Sequence, residues 1–206
     1  MSPPEAGSTA GERHIVPPEP GDELLDRFMP AYDVVERHGA RVPAAADVAL
    51  AAAQALDLQA SPLIRALFRA RELLLRSKPA VRVRPPGLVA ELLSLGWGVL
   101  AERPGREIVL GAVTKPWEAN VTFRALPPGE FAAFDTPGLV KIAVTLRADP
   151  LGPGASMFRT ETRVACTDPV SRARFRRYWL LVSTGVRLIR RSMVRSLKRK
   201  LATAGR

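Results

Sequence analysis

The chain is short of cysteine and histidine, with one Cys and two His among its 206 residues. A single thiol, Cys166, cannot form an internal disulfide, and so few Cys and His residues do not make a zinc-type site. Thiols stay reduced in the cytoplasm, whereas small secreted domains usually carry disulfides. We therefore predict a cytoplasmic protein without a bound metal.

Long apolar runs and the common catalytic motifs are also missing. No 18 consecutive apolar residues occur, which excludes a classical membrane-spanning helix. The first 20 residues have no apolar core and include Glu5 and Glu12, unlike a signal peptide. There is no P-loop, Rossmann glycine pattern, HExxH or nucleophile elbow. The sequence therefore predicts no cofactor and leaves any catalytic residue unknown.

Acidic residues are absent from the end of the chain. Residues 171–206 hold 12 Lys and Arg and no acid, whereas the other 170 residues hold 19 basic and 20 acidic residues. A basic segment on a neutral body is either a solvated helix face or a contact for an anionic membrane. The solvated face is favoured, because charge runs usually face water. No nucleic-acid partner is expected, since the body lacks a basic surface with interleaved aromatics.

Composition divides the chain into three segments. Residues 1–27 are rich in Pro, Gly, Glu and Ser without periodic apolar positions, which predicts a disordered leader. Residues 28–201 suit one domain large enough to bury a core. Residues 202–206 are predicted to be a disordered tail.

Apolar periodicity predicts an α+β domain. The expected order is one strand, two helices, about five antiparallel strands and a long C-terminal helix over the sheet. The segments concerned are a strand at 32–42, the two helices at 45–56 and 61–77, strands at 98–103, 106–115, 130–134, 139–147 and 156–166, and a helix from Pro169 to about Leu201. A further short helix is expected at 88–95, after a Pro-rich connector.

The last helix is expected to have two parts. Its apolar stripe up to Ile189 should pack on the sheet, with Tyr178, Val182 and Val186 buried. Beyond Arg190 the basic density rises, so that part is expected to project into solvent and add little stability.

This order resembles the helix-grip fold of the START-like, or SRPBCC, superfamily, which includes polyketide cyclases, lipid-transfer domains and plant pathogenesis-related proteins. The resemblance is carried by residues 36–44, which run from a strand through Val42-Pro43-Ala44 into a helix, by the strand at 158–164, and by the helix around Phe175 and Tyr178. It implies a ligand cavity between the sheet and the last helix. The superfamily has no invariant catalytic motif, so no catalytic residue is carried over.

Candidate site residues follow from strand faces and helix spacing. The predicted pocket residues are Trp97, Ile142, Val144, Phe158, Thr160, Thr162, Tyr178 and Val182. Glu36 and His38 lie two apart on a strand and so share a face. They are either polar groups of the pocket, usable as an acid/base pair, or a structural pair near the sheet edge.

Three functions remain open from the sequence. The first is binding of a small apolar or amphipathic molecule, such as a lipid, in the cavity. The second is a cyclase- or dehydratase-type reaction in the same pocket. The third is peripheral, weak contact of a lipid binder with an anionic membrane through the basic helix.

Overall fold

The computed structural model describes residues 22–57, 65, 66, 69, 70, 73 and 85–204. The helices with defined bounds are α1 (Glu23–Asp26), α2 (Ala46–Gln54), α3 (Leu88–Ser94), α4 (Pro128–Ala133) and α5 (Pro169–Ala204). The strands are β1 (Val34–Val42), β2 (Gly98–Arg103), β3 (Glu107–Thr114), β4 (Phe123–Arg124), β5 (Val140–Gly152) and β6 (Ala155–Cys166). Most of the helix predicted at 61–77, and residues 1–21 of the predicted leader, lie outside the described residues.

The strands form one curved antiparallel sheet in the order β1-β6-β5-β3-β2, with β4 paired to β3. The long helix α5 packs on β1, β6 and α2. The α+β class, the antiparallel sheet and the C-terminal helix over it are confirmed.

The inner face of the sheet, which α2 and α5 cover, carries the main core. Strands β5 and β6 alternate as predicted, so that Val144 pairs with Thr162 and Leu146 with Thr160 on this face. Leu110 of β3 continues the apolar surface and is fully buried. Residues of α2, such as Leu50, and Phe158 of β6 belong to the same core.

The outer face of the sheet is covered by α1 and α4. Leu25 and Met29 pack there with Val109 and Phe131. Helix α1 falls inside the segment predicted as a leader, so the folded region begins no later than Asp22, whose side chain caps α1 by accepting from the Leu25 N–H at 3.0 Å. The leader prediction was therefore too long at its C-terminal end.

The segment predicted as a strand at 130–134 is helix α4. Pro127 is the N-cap and Pro128 is the first residue of this helix, a position for which proline is well suited. The Phe131 N–H bonds to the Pro127 carbonyl at 2.8 Å, which directs the Phe131 ring into the outer-face core with no exposed surface. The apolar residues of this segment do contribute to the core, but from a short helix and not from a strand.

Helix α5 begins as predicted and then departs from the prediction. Asp168 caps it by accepting from the N–H groups of Val170 and Ser171 at 2.8 and 2.9 Å. Phe175 in its first part is buried against the sheet as expected, but burial farther along the helix is the reverse of the expectation. The side chains beyond Arg190 that face inward are buried in the main core, and these are Met193, Leu197 and Leu201, whereas Tyr178, Val182 and Val186 are only half-buried.

The reversal has a structural reason. Helix α2 packs against α5 and adds to the core that receives Leu197 and Leu201. The helix also continues to Ala204, so residues 202–204 of the predicted tail are helical. Within the described ranges, no helix is long and apolar enough to cross a bilayer.

Candidate functional site

A polar cluster lies on the inner face of the sheet where β1 pairs with β6. In the register of these strands Glu36 faces Thr162 and His38 faces Thr160. Because residues two apart on a strand share a face, the four side chains form a square beneath α5. The register is consistent with the two separate sequence predictions, that Glu36 and His38 share a face of one strand and that Thr160 and Thr162 share a face of another.

Helix α5 adds two arginines to this square. Arg187 Nε lies 3.0 Å from Glu36 Oε1, and Arg190 Nη2 donates to Thr162 Oγ1 at 2.6 Å. We call the six residues the inner polar cluster: Glu36, His38, Thr160, Thr162, Arg187 and Arg190. It joins the edge of the sheet to the half-buried part of the helix.

Two buried polar atoms of the cluster have no hydrogen-bond partner among the described residues, His38 Nε2 and Thr160 Oγ1. The nearest carboxylate oxygen to His38 Nε2 is that of Glu36 at 3.7 Å, beyond hydrogen-bond distance. A buried polar group left unpaired typically costs about 1–3 kcal/mol. Native proteins rarely keep such groups without a role or a partner.

Burial and the positive charge of Arg190 lower the pKa of His38, and Glu36 offsets only part of this. The imidazole is therefore neutral near pH 7 and offers one N–H donor and one acceptor nitrogen. Such a group can accept a proton from a bound molecule, which is the chemistry a cyclase or dehydratase needs. Glu36 is tied to Arg187 and is less free to act as its partner.

The apolar candidates divide into two groups. Phe158 and Val144 are almost fully buried in the main core. Ile142 and Tyr178 are half-buried and border the patch that includes Val164, next to the inner polar cluster along β6. This second group is better placed to touch a ligand.

Two further candidates lie elsewhere on the helix and beside β4. Val182 is half-buried on α5, one turn beyond Tyr178. Trp97 is 9% exposed and its ring lies 5.4 Å from that of Phe123 of β4. Trp97 Nε1 is also buried without a hydrogen-bond partner in the described part of the chain.

Sequence reasoning missed Arg190, which it assigned to the basic end of the helix. The available signal was its spacing: Arg190 stands four residues after Val186 and three before Met193, on the inward stripe of α5. A cation on the apolar stripe of a helix more often has a specific partner than a cation on the solvated face. Burial lowers the pKa of this guanidinium to about 10.

The structure offers no metal site within the described ranges, where no group of three or more His, Cys, Asp or Glu side chains is arranged to hold an ion. The single thiol also lacks the features of a nucleophile. Burial and the nearby Asp33 carboxylate raise the pKa of Cys166 to about 12.

The sequence matches no family model and no curated protein. Solved structures do match, each with a TM-score of 0.30. A structural-genomics protein from Deinococcus radiodurans is 15% identical, with 70% of this chain and 94% of that chain covered. The di-domain ARO/CYC BexL from the BE-7585A biosynthetic pathway is 16% identical, with 81% and 46% covered.

Norcoclaurine synthase from Thalictrum flavum, solved with dopamine and hydroxybenzaldehyde, is 13% identical, with 86% of this chain and 92% of that chain covered. Likenesses at this TM-score carry no argument about the function of this chain. The functional case therefore depends on the inner polar cluster itself.

Proposed function

We propose that this protein is a helix-grip protein of the START-like superfamily that binds a small apolar or amphipathic molecule between the sheet and α5. The observation that carries the proposal is the pair of buried, unpartnered polar atoms within the inner polar cluster, His38 Nε2 and Thr160 Oγ1. A bound molecule with one polar end would satisfy both atoms.

The surroundings of these atoms suit such a ligand. Small-molecule sites are mostly apolar, with a few polar groups that fix orientation. Ile142 and Tyr178 border the Val164 patch beside the cluster and are only half-buried, as is Val182 on the same helix as Tyr178. Contact with a ligand would cover these side chains further. Each fully buried aliphatic side chain contributes about 1.5–3 kcal/mol.

The proposal is tested by titration with the neutral fluorescent probe N-phenyl-1-naphthylamine. We expect saturable binding to the full chain. Val182→Trp, which fills space on the inward side of α5, is expected to weaken binding at least about tenfold, as a loss of 1.4 kcal/mol would.

The matched control is Thr184→Trp, at an exposed position on the same helix, which should bind the probe as the natural chain does. Circular dichroism and melting temperature verify that both variants are folded. Absence of saturable binding to the natural chain, or equal binding by Val182→Trp and Thr184→Trp, would show the proposal to be wrong.

A second candidate function, peripheral contact with an anionic membrane, is favoured by a separate surface. Leu180 and Leu181 are 81% and 64% exposed on the outward side of α5. Arg176 and Arg177 precede them by one turn and are exposed. Exposed leucines beside arginines on a helix are typical of segments that lie at a lipid surface.

Co-sedimentation with vesicles tests this second function. We expect the chain to bind phosphatidylserine-containing vesicles at low salt and to be released as salt rises, since each surface cation contributes about 1 kcal/mol and is screened. The double variant Leu180→Ser/Leu181→Ser should bind less. Leu151→Ser removes another exposed leucine, which lies on strand β5 and not on this helix, and should bind normally. Equal binding by the two variants would exclude insertion of the helix leucines.

A further inference from the structure

The guanidinium of Arg190 has no ion-pair partner among the residues that the structure describes. A guanidinium has five N–H donors, and the described residues give it one partner, the neutral hydroxyl of Thr162 at 2.6 Å. The nearest carboxylate of the cluster, Glu36, is engaged by Arg187 at 3.0 Å. No ion pair of Arg190 with a carboxylate occurs within the described ranges. A partly buried cation without a counter-ion favours an anionic ligand.

The neighbours of Arg190 point to the same chemistry. Thr160 Oγ1 is a buried hydroxyl without a partner, so its O–H can be donated to a ligand. His38 lies in register with Thr160 across β1 and β6, and its unpartnered Nε2 donates when the proton is on that nitrogen. Three kinds of donor thus stand on one small area of the inner face, and oxygen anions are the groups that accept from all of them.

The presence of Glu36 limits the charge of that anion. Its carboxylate lies on the same face, two residues from His38, and is only partly neutralised by the exposed side chain of Arg187. A second negative charge on the ligand would be repelled by it. The cluster is therefore suited to a monoanion.

We propose that Arg190, Thr160, Thr162 and His38 receive the monoanionic oxygen end, such as a carboxylate, of an amphipathic ligand whose apolar body lies along the inner face beside Ile142 and Tyr178. This inference rests on the proposed binding function and assigns the class of ligand. Arg190 acts as the binding residue for the anionic end, and the threonine and histidine side chains orient it.

Three twelve-carbon amphiphiles that differ only in the head group test this proposal: dodecanoate, dodecanol and dodecyltrimethylammonium. Each is used to displace N-phenyl-1-naphthylamine from the full chain, the two ionic amphiphiles below their micelle concentrations and dodecanol below its solubility limit. We expect dodecanoate to bind at least about tenfold more tightly than dodecanol, because a charge-assisted hydrogen bond contributes at least that factor. The cationic amphiphile should bind most weakly.

Arg190→Gln should abolish the preference, so that this variant binds dodecanoate no more tightly than it binds dodecanol. Arg195→Gln removes the same charge from an exposed position on the same helix and should keep the preference. Thr160→Val, close in shape to the natural residue, should lower dodecanoate affinity severalfold without loss of folding. It provides a second test if Arg190→Gln is unstable.

The outcomes separate this inference from the proposed function. Equal displacement by dodecanoate and dodecanol, with no effect of Arg190→Gln, would overturn the anionic assignment and leave the binding function standing. A preference for the cationic amphiphile would overturn it as well and would give Glu36 the leading role. No displacement by any amphiphile, together with no saturable probe binding, would refute the binding function itself.

Discussion

The carboxyl group of Glu107 leads to a specific prediction on stability and pH. Its side chain is 2% exposed on the outer face, beside Asp22 at the start of α1. The pKa of Glu107 is raised to about 8, mainly by burial and then by the hydrogen bond to Asp22 and the negative charge of Asp22. The positive charges of Arg147 and Arg103 oppose this rise. The group is therefore protonated in the folded protein at neutral pH.

The sign of the effect follows from linkage. An acid whose folded pKa is raised keeps a proton that the unfolded chain releases, so its contribution is complete below about pH 4.5 and is lost as pH rises to about 8. A pKa difference of about 3.5 corresponds to at most about 5 kcal/mol at 1.36 kcal/mol per pKa unit. Above pH 8 the loss is complete.

Glu107→Gln replaces the neutral acid by an amide that does not titrate and can still donate to Asp22. We expect the free energy of unfolding of this variant to exceed that of the natural chain at pH 9. The advantage should shrink steadily toward pH 5. Urea unfolding followed by circular dichroism at pH 5, 7 and 9 measures the difference.

The control is Glu102→Gln, which removes a carboxylate from an exposed position on β2. Its difference from the natural chain should change little with pH. A constant difference between Glu107→Gln and the natural chain at the three pH values would refute the reasoning, since a titrating Glu107 requires the difference to vary.

Three other changes test the packing. Leu197 is fully buried late in α5, so Leu197→Ala should lower the free energy of unfolding in urea by about 2–5 kcal/mol. Leu180 is 81% exposed, so Leu180→Ala should change it by less than about 0.5 kcal/mol. Similar values for the two variants would contradict burial of the C-terminal part of the helix. Gly96→Ala should destabilise by more than about 1 kcal/mol, because φ is +99° and an added Cβ would lie 2.3 Å from the Phe123 carbonyl oxygen. Gly129→Ala, in helix α4 with open space around it, should stabilise by about 0.5–1 kcal/mol. A higher melting temperature for Gly96→Ala than for Gly129→Ala would contradict this reasoning. Cys166, with its pKa raised to about 12, should react with a disulfide reagent at pH 8 only after addition of denaturant, and rapid reaction of the native protein would show that the thiol is accessible.

Much of the sheet and the start of the last helix could be predicted because their signals are local. The alternation in residues 139–147 and 156–166 places Val144 and Phe158 on one face whatever the rest of the chain does. Asp168 followed by Pro169 marks a helix start through bonds to residues only two and three positions away. The hairpin at 104–105 depends on Gly105, whose φ is +69°. Each of these features is set by neighbours within a few residues.

The candidate site depends on contacts that no local pattern contains. Glu36 and His38 were recognised as a pair because strand geometry places them on one face, but their neighbours Thr160 and Thr162 come from a strand more than a hundred residues later. The sequence could not say that Arg190 meets Thr162, 28 residues earlier. It also left open whether any of these groups has a partner.

The sequence by itself determined the alternating strands, the cap of α5 and the basic charge of the helix. The tertiary structure decided which half of that helix is buried, because α2 packs beside its C-terminal half and adds to the core for Met193 and Leu197. It also decided that residues 128–133 form a turn of helix and that α1 belongs to the fold, since Phe131 and Leu25 find their apolar surroundings only on the assembled outer face. Burial is a property of the packed elements together, and a periodic sequence specifies which face is apolar without specifying what covers it.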